Sequence, residues 1–458
     1  MKLSESIKKH GYFSLPSISE HKMPGILYIS ESGKVELDIM GYVSLYTLID
    51  PIISRIVGVL ETGEKVTIED CLWIEKSSNS EGFTRIKICG SIALFGHEYM
   101  TDEKIEFNRV TFSINGLSEW LSISGITQEL LENTSIAIKF EPPNDIHFLL
   151  EDGMKLSFVF ELRISCAFED ASLSQRVYVS IYSENPKPLE YFTGVIFKLN
   201  NFFCLAIDNT VTISCFSGYL KDITEVFGPD IIETQICIYY ETTYAEGNER
   251  ISTHALLFRY EDVATCFENI LKLWLHNYSI SEPAFNLYFS SKSGGHKYLE
   301  SKFLSLAQGI ETFHDRNYPN ELRIEKREFK DLKKSIIDCC PSDKKIWLEE
   351  MIKYGYKLTL RQRIKQLVEP FKELYGSDEQ RNELIGKIVT TRNYLTHYDS
   401  KLKEKSAQGN ELYNISIKLE SLFQLHFLKL IGLELGQIEN IVAKNNSLRN
   451  KINNSIKE

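Results

Sequence analysis

Three polar residues near the end of the chain have the types and spacing for acid–base chemistry on a phosphate. Arg392, Asn393 and His397 lie in "TTRNYLTHYD", which ends a stretch with the pattern of an amphipathic helix. Successive helical residues are about 100° apart, so Asn393 and His397 share a face and Arg392 lies about 100° away. Histidine moves protons near neutral pH, arginine pairs with phosphate, and asparagine can orient either of them.

This combination suits the cleavage of an RNA phosphodiester by its own 2′-hydroxyl. That reaction needs a base, an acid and a cation for the pentacoordinate phosphorus, and it needs no metal. Arginine and histidine are also common at helix ends because they complement the helix dipole. On spacing alone, both interpretations stay open.

Two residues on another predicted helix are candidates to support this site. Glu311 and His314 are three residues apart in "ETFHDR" and share a helical face. They can join the site by tertiary contact, either in catalysis or, for Glu311, by orienting Arg392.

A basic strip is a candidate for contact with RNA. It consists of Arg361, Arg363 and Lys365 in "LRQRIKQ", and such a strip can follow a nucleic-acid backbone. A solvated helix face explains it equally well.

No cofactor or metal is expected. The chain has no GxxxxGK, GxGxxG, HExxH or GxSxG motif, and its nine cysteines form no CxxC pair. The sequence therefore argues against nucleotide-driven, metalloprotease and serine-hydrolase chemistry.

The predicted site lies in a helical C-terminal domain. From Ser291 to about residue 445 apolar residues recur at helical spacing, which predicts a bundle of around five helices. Ser377 followed by Gln380 has the form of a capping box and predicts the start of the helix that carries Arg392. The remaining residues, 446–458, are predicted to be a polar, frayed tail.

The first 285 residues are predicted to be mostly strand, as a sandwich or barrel-like sheet. Short runs of β-branched and aromatic residues alternate with turn signals, and Val35, Leu37 and Ile39 fall on one strand face. Few helices are predicted here, the clearest at "ITEVFGPDII" (223–232) and "YEDVATCFENILKLWLHNYS" (260–279), and a subdivision is considered near residue 150. The fold class is therefore α+β and multidomain.

Composition and charge indicate a soluble, cytoplasmic protein whose two parts differ in the sign of their net charge. No signal peptide is evident, and the most apolar run, "YFTGVIFKLNNFFCLAI", is too short and too polar to span a membrane. Residues 301–458 hold 28 lysines and arginines against 22 aspartates and glutamates, whereas the first 300 hold 24 against 41. A polyanionic partner is therefore expected at the C-terminal end.

The motif and its surroundings resemble the HEPN superfamily, whose signature is arginine, four to six residues, then histidine. The whole chain is similar to the ApeA-type branch, in which an HEPN domain follows a strand-rich N-terminal domain. "KFLSLAQGIETFHDR" looks like the opening helix of that HEPN domain, with Glu311 in its acidic position. "MPGILYISESGKVELDIMGY" and "FNRVTFSINGLSEWL" look like early strands of the N-terminal domain.

This resemblance implies a bacterial anti-phage protein that acts by abortive infection. It implies a metal-independent endoribonuclease that cuts RNA, often tRNA, leaves cyclic phosphate ends and works as a homodimer through the C-terminal domain. His397 would be the general acid/base, Arg392 would stabilise the phosphorane and Asn393 would position either. The N-terminal domain would sense a phage-derived trigger or restrain the nuclease.

The alternative is a non-catalytic binding or sensor protein. Its strand-rich domain would recognise a phage or cell component, and its helical domain would only dimerise or bind nucleotide.

Overall fold

The computed structural model describes residues 6–42, 52–80, 83–131, 135–227, 230–242, 251–294 and 296–453. The chain divides into two compact units, residues 1–268 and 269–458, here called the strand-rich unit and the helical unit. Each is built around its own core.

The strand-rich unit contains the following strands among its described residues: β1 Ile7–Ser14, β2 Met23–Ile29, β3 Val35–Tyr42, β4 Ile52–Leu60, β5 Lys65–Ser78, β6 Phe83–Gly90, β7 Ile92–Phe95, β8 Glu106–Ile114, β9 Ile126–Leu130, β10 Ile136–Phe140, β11 Ile146–Leu149, β12 Lys155–Cys166, β13 Ala171–Pro188, β14 Ile213–Phe227 and β15 Asp230–Tyr240. Its helices are α1 Leu117–Leu121, α2 Leu189–Ile207 and α3 Tyr260–Val263.

Most of these strands form one antiparallel sheet. Six of them, in the order β5-β4-β1-β2-β3-β6, close on themselves through pairing of β5 with β6. Val35, Leu37 and Ile39 of β3 are buried together, as their alternation predicted. The predicted barrel-like form is therefore confirmed for this part of the sheet.

The sheet continues as an open arm, β7-β15-β14-β8-β13-β12-β11. Strand β8 comes before residue 150, yet it pairs with β13 and β14, which come after it. The sheet therefore runs across the position at which a subdivision was considered. Strands β9 and β10 form a separate hairpin.

Two helix assignments in this unit differ from the sequence interpretation. The predicted helix at 223–232 is wrong, because β14 extends to Phe227 and β15 begins at Asp230. Gly-Pro at 228–229, which lies outside the described residues, is a turn signal between β-branched residues, and such a pattern favours a hairpin. The apolar run at 191–207 lies in α2, whose Phe192, Ile196 and Leu199 are buried at helical spacing.

The helical unit contains the following helices among its described residues: α4 Phe267–Lys292, α5 Leu299–Asn317, α6 Lys326–Asp338, α7 Lys345–Met351, α8 Leu360–Val368, α9 Asp378–His397, α10 Ser400–Lys403, α11 Gly409–Leu430, α12 Leu435–Lys444 and α13 Asn446–Asn453. The first two residues of α4 are counted with the strand-rich unit. The bundle thus has more helices than the five or so expected, because several are short.

Helix α11 forms the centre of this bundle. It is buried along nearly its whole length, and Phe423 and Phe427 lie against aromatic residues of α4 and α5. Glu420 of α11 is also buried and forms ion pairs with Lys292, Lys302 and Lys451. One carboxylate thus joins α4, α5, α11 and α13.

Both limits of the helical unit differ from the sequence interpretation. The boundary between the strand-rich and helical domains was expected at residues 285–291. These residues lie inside α4, where Phe285 and Tyr288 are buried against Phe427. Residues 446–453, expected to be a frayed tail, form α13 because Leu448 and Ile452, four residues apart, are buried. Residues 454–458 lie outside the described residues.

Candidate active site

Helix α9 holds the predicted site residues in a defined orientation. The capping box of Ser377 and Gln380 is confirmed: the Gln380 N–H donates to Ser377 Oγ (3.3 Å), and the Ser377 N–H donates to Gln380 Oε1 (2.8 Å). The buried side chains of Ile388 and Thr391 fix the rotation of the helix about its axis. Thr391 Oγ1 also accepts a hydrogen bond from the Ala407 N–H (2.9 Å).

Arg392 is held by a carboxylate from α5. Its Nη2 lies 3.1 Å from Glu311 Oε2, and its Nη1 donates to Asn393 Oδ1 at 3.3 Å. Both partners of the ion pair are about one-third exposed. A pair this accessible contributes about 1 kcal/mol or less to stability, so its main effect is to position the guanidinium.

Arg392 lines an open cleft between α5, α8, α9 and the segment after α7. The cleft has a volume of about 750 Å³. Its lining residues are Leu304, Gln308, Glu311, Thr312, Asp315, Arg316, Tyr354, Lys357, Arg363, Arg392 and Thr396. Four of them are basic and two are acidic, so the wall has an excess of positive charge that suits a polyanion.

Asn393 and His397 lie on the neighbouring face of α9 and do not line this cleft. His397 is the last residue of the helix and is exposed, and Tyr398 ends the helix with a left-handed backbone (φ 51°). Among the described residues, the His397 side chain has no hydrogen-bond or ion-pair partner. The structure thus links Arg392 directly to Glu311 and Asn393 and leaves the imidazole accessible at the end of the helix.

His314 does not join Arg392, although it lies only three residues from Glu311. It is buried, stacks on Tyr318 with the ring centroids 5.1 Å apart, and its Nε2 lies 2.6 Å from Gln366 Oε1. Burial lowers the pKa of His314 below its usual value, and the Gln366 hydrogen bond opposes this only in part. His314 is therefore a core residue that packs α5 against α8.

The predicted basic strip is divided between two faces of α8. Arg361 and Lys365, four residues apart, are exposed, whereas the Arg363 side chain is only 7% exposed. Arg363 Nη1 donates to Asp315 Oδ1 (3.0 Å) and to the Glu311 carbonyl (3.3 Å), and its Nε donates to the Leu358 carbonyl (3.2 Å).

Asp315 lines the cleft and was missed by the sequence interpretation. Partial burial acts to raise the pKa of Asp315, but the hydrogen bond and charge of Arg363, with Lys357, lower it below its usual value. Asp315 lies four residues after Glu311, so helical spacing was a signal that could have found it. Lys357 and Tyr354 lie in an irregular segment and had no such signal.

The described residues offer no candidate for a metal site or a membrane span. No group of three or more His, Cys, Asp or Glu side chains there is arranged to hold a metal ion. Nor does any helix of this part of the chain combine the length and apolar composition needed to cross a membrane.

Comparison with protein families identifies both units. The family model "Apea-like HEPN" matches residues 304–437, which places the helical unit among HEPN domains. The family model "ApeA N-terminal domain 1" matches residues 8–274, more than half of the chain. The chain therefore belongs to the ApeA-type HEPN proteins. No curated protein and no solved structure gives a significant match.

This membership confirms the predicted fold class and sets the general function. A strand-rich N-terminal domain precedes a helical HEPN domain, as expected. HEPN domains are generally ribonucleases that commonly bind RNA and dimerise, and the two domains together indicate an anti-phage HEPN protein.

Proposed function

We propose that this protein is a metal-independent HEPN endoribonuclease that acts in abortive infection and cuts RNA, with tRNA as the expected substrate. One observation carries the proposal. Glu311 holds the Arg392 guanidinium at the wall of a cleft with excess positive charge, and an unpartnered His397 is exposed just over one turn further along the same helix.

The reaction proposed for this geometry is attack by the 2′-hydroxyl on the adjacent phosphorus. The O2′–P bond forms and the P–O5′ bond breaks, giving a 2′,3′-cyclic phosphate and a 5′-hydroxyl. An imidazole takes the proton of the 2′-hydroxyl, or gives a proton to the leaving 5′-oxygen. The Arg392 guanidinium stabilises the charge on the phosphorane, and Asn393 orients Arg392 through its Oδ1.

Glu311 acts in this proposal as a positioning residue. Its carboxylate accepts the hydrogen bond from Arg392 Nη2, while Arg392 Nη1 donates to Asn393 Oδ1. Guanidinium has five N–H donors, so donors remain for phosphate oxygens. A defined direction for this cation matters, because misplacing a catalytic group by about 1 Å can slow a reaction about 100-fold.

The test uses full-length protein with total tRNA in the presence of EDTA. We expect cleavage by the wild type and a loss of at least about 100-fold for His397→Ala and for Arg392→Ala, because acid–base catalysis and charge stabilisation each contribute on this scale. Matched controls are His276→Ala and Arg327→Ala, exposed residues of α4 and α6 outside the cleft. Circular dichroism and thermal melting establish that each variant is folded.

Three results would contradict the proposal. They are full activity of either site variant, loss of activity only through unfolding, and tRNA that binds but stays intact with wild-type protein. The last result is the one expected of the non-catalytic binding protein.

A further inference from the structure

The open arm of the sheet in the strand-rich unit has two faces of opposite character. On one face Val110, Phe112, Phe158 and Val179 are fully buried, on the side against which α2 packs. The opposite face carries hydroxyl, amide, thiol and charged side chains from β8, β12, β13, β14 and β15. Polar side chains are expected on the solvated face of an antiparallel sheet, so a binding site here depends on the concavity of this face and on the chemistry of its side chains.

The polar face carries a partly open pocket of about 250 Å³. This volume lies just below the range of about 300–1,000 Å³ that is usual for small-molecule sites. It suits one small molecule, and it is too small for a peptide or an RNA chain. The pocket is separate from the cleft at Arg392, because all of its lining residues belong to the strand-rich unit.

One end of the pocket contains a guanidinium with spare donors. Arg163 Nη2 lies 2.9 Å from Tyr178 Oη and 3.4 Å from Glu161 Oε2, and Cys215 is beside it. The contact with the carboxylate is long, so an anion of the ligand can compete for this arginine. Burial raises the pKa of Tyr178 to about 12, helped by its hydrogen bond to Glu161, so its hydroxyl stays protonated near neutral pH. A bound anion would replace Glu161 as the acceptor of this hydroxyl proton.

The other end presents a flat cationic and aromatic surface. The Arg109 guanidinium lies over the Tyr219 ring, 4.0 Å from its centroid, and also pairs with Glu233. Gln235 is beside them, with its Nε2 2.7 Å from Ser217 Oγ, so its Oε1 can accept a further hydrogen bond. Stacked arginine and tyrosine favour a planar ring, and an amide can read the polar edge of that ring.

The two ends are separated by about the length of one mononucleotide. Cys215 and Tyr219 lie on the same face of β14, four residues apart, which corresponds to about 13 Å of strand. A ligand that reaches both ends needs a planar polar ring at one end and an anion at the other. We propose that this pocket binds a mononucleotide, with its base at Arg109, Tyr219 and Gln235 and its phosphate at Arg163 and Tyr178.

The first test is a binding measurement by calorimetry on the full-length protein. The ligands are AMP, GMP, CMP and UMP, with their nucleosides and inorganic phosphate as partial ligands. We expect at least one mononucleotide to bind at least tenfold more tightly than its nucleoside and than phosphate. The proposal is overturned if no mononucleotide binds, or if phosphate binds equally well.

The second test locates the ligand by thiol alkylation and mass spectrometry. Cys215 and Cys237 line the pocket, whereas Cys166 and Cys339 are exposed elsewhere and serve as internal controls. The nucleotide that binds should slow alkylation of the first pair at least threefold and leave the second pair unchanged. Binding without this protection would place the ligand elsewhere and overturn the proposal.

The third test removes one anchor at a time. Arg163→Gln and Arg109→Gln should each weaken nucleotide binding at least tenfold. The matched control is Arg85→Gln, a strand arginine paired with Asp38 outside the pocket, which should bind like the wild type. Melting temperatures identify any unfolded variant, and the alkylation test on wild-type protein stands without them. Wild-type affinity in both folded pocket variants would overturn the proposal.

Discussion

At the scale of single residues, two arginines of α8 show how position on a helix decides a side chain's role. Arg361 is exposed, whereas Arg363, two residues later, faces α5 and donates to Asp315 and to two carbonyls. Lys365 returns to the exposed face one turn after Arg361. Arg361 and Lys365 are therefore the members of the predicted strip that can contact an RNA backbone.

The corresponding prediction separates RNA binding from folding. Arg361→Gln with Lys365→Gln should weaken tRNA binding and lower the slope of log affinity against log salt, because fewer counterions are released, while stability stays within about 0.5 kcal/mol. Arg363→Gln should instead lower the free energy of unfolding by about 2 kcal/mol, since the buried Arg363 makes charge-assisted hydrogen bonds to three partly buried acceptors that the shorter, neutral side chain does not replace. Filter binding at several salt concentrations and urea unfolding measure the two effects. The reverse pattern would contradict this assignment.

At the scale of elements, His426 is a point where four segments of the helical unit meet. This residue of α11 is buried, its Nε2 lies 2.8 Å from the Leu367 carbonyl of α8, and its ring packs against Phe313 of α5 and Phe371 after α8. Burial lowers the pKa of His426 to about 4. The bundle is therefore built around a neutral imidazole.

A pH dependence of stability follows from this burial. An unfolded histidine has a pKa near 6.5, so between about pH 6.5 and pH 4 the unfolded chain binds a proton that the folded chain does not. The free energy of unfolding should fall as the pH drops through this window, by on the order of 3 kcal/mol from His426. Urea unfolding at pH 7.5, 6 and 5 measures the fall.

The control for this prediction removes the titrating group. His426→Gln keeps an N–H donor for the Leu367 carbonyl and should show a flatter pH dependence than the wild type. His276→Gln, at an exposed position of α4, should show the same pH dependence as the wild type. Equal slopes for wild type and His426→Gln would show that His426 does not control this dependence.

At the scale of the whole molecule, the two units differ in net charge, which suggests that one unit restrains the other. The residue at which the helical unit begins decides which fragment can test this. The first 300 residues are strongly acidic and the rest are mildly basic. We propose that the strand-rich unit restrains the nuclease. A fragment for testing this must start near Asn269, because a start at Ser291 would remove α4, whose Phe285 and Tyr288 belong to the core of the helical unit.

The expected result is that residues 269–458 are more toxic to cells than the full chain. This toxicity should disappear with His397→Ala, since it depends on the nuclease. Growth after induction measures it, with protein levels compared by immunoblot. A folded fragment that leaves growth unaffected would count against restraint.

A second prediction at this scale concerns assembly. Arg392 lines the cleft while His397 lies on the next face of α9, so one chain offers a single imidazole for a reaction that uses both an acid and a base. We propose a homodimer through the helical unit, in which a two-fold axis brings two α9 helix ends to one RNA backbone. Paired motifs would supply both proton-transfer groups.

Mixed dimers test this composite site. Dimers with one wild-type and one His397→Ala chain, isolated with two affinity tags, should cleave tRNA at well below half the wild-type rate. A rate near half would indicate two independent sites. A fully active monomer, measured with light scattering, would exclude the composite site.

The sequence by itself determined the local features of this protein. Short-range periodicity predicted β3 and α9, and the Ser377–Gln380 capping box was predicted because its partners are three residues apart. The motif residues Arg392, Asn393 and His397 were also visible, since helical geometry relates neighbours within one turn. These features depend on interactions between residues close in the chain.

Only the tertiary structure decided how distant segments combine. Packing of α5 against α9 selected Glu311 rather than His314 as the partner of Arg392, and packing of α8 on α5 turned Arg363 inward. The hairpin at 223–232 and the docking of α13 were likewise missed. Local propensity is weak in each of these cases, and the free energy comes from side chains buried against residues far away in sequence.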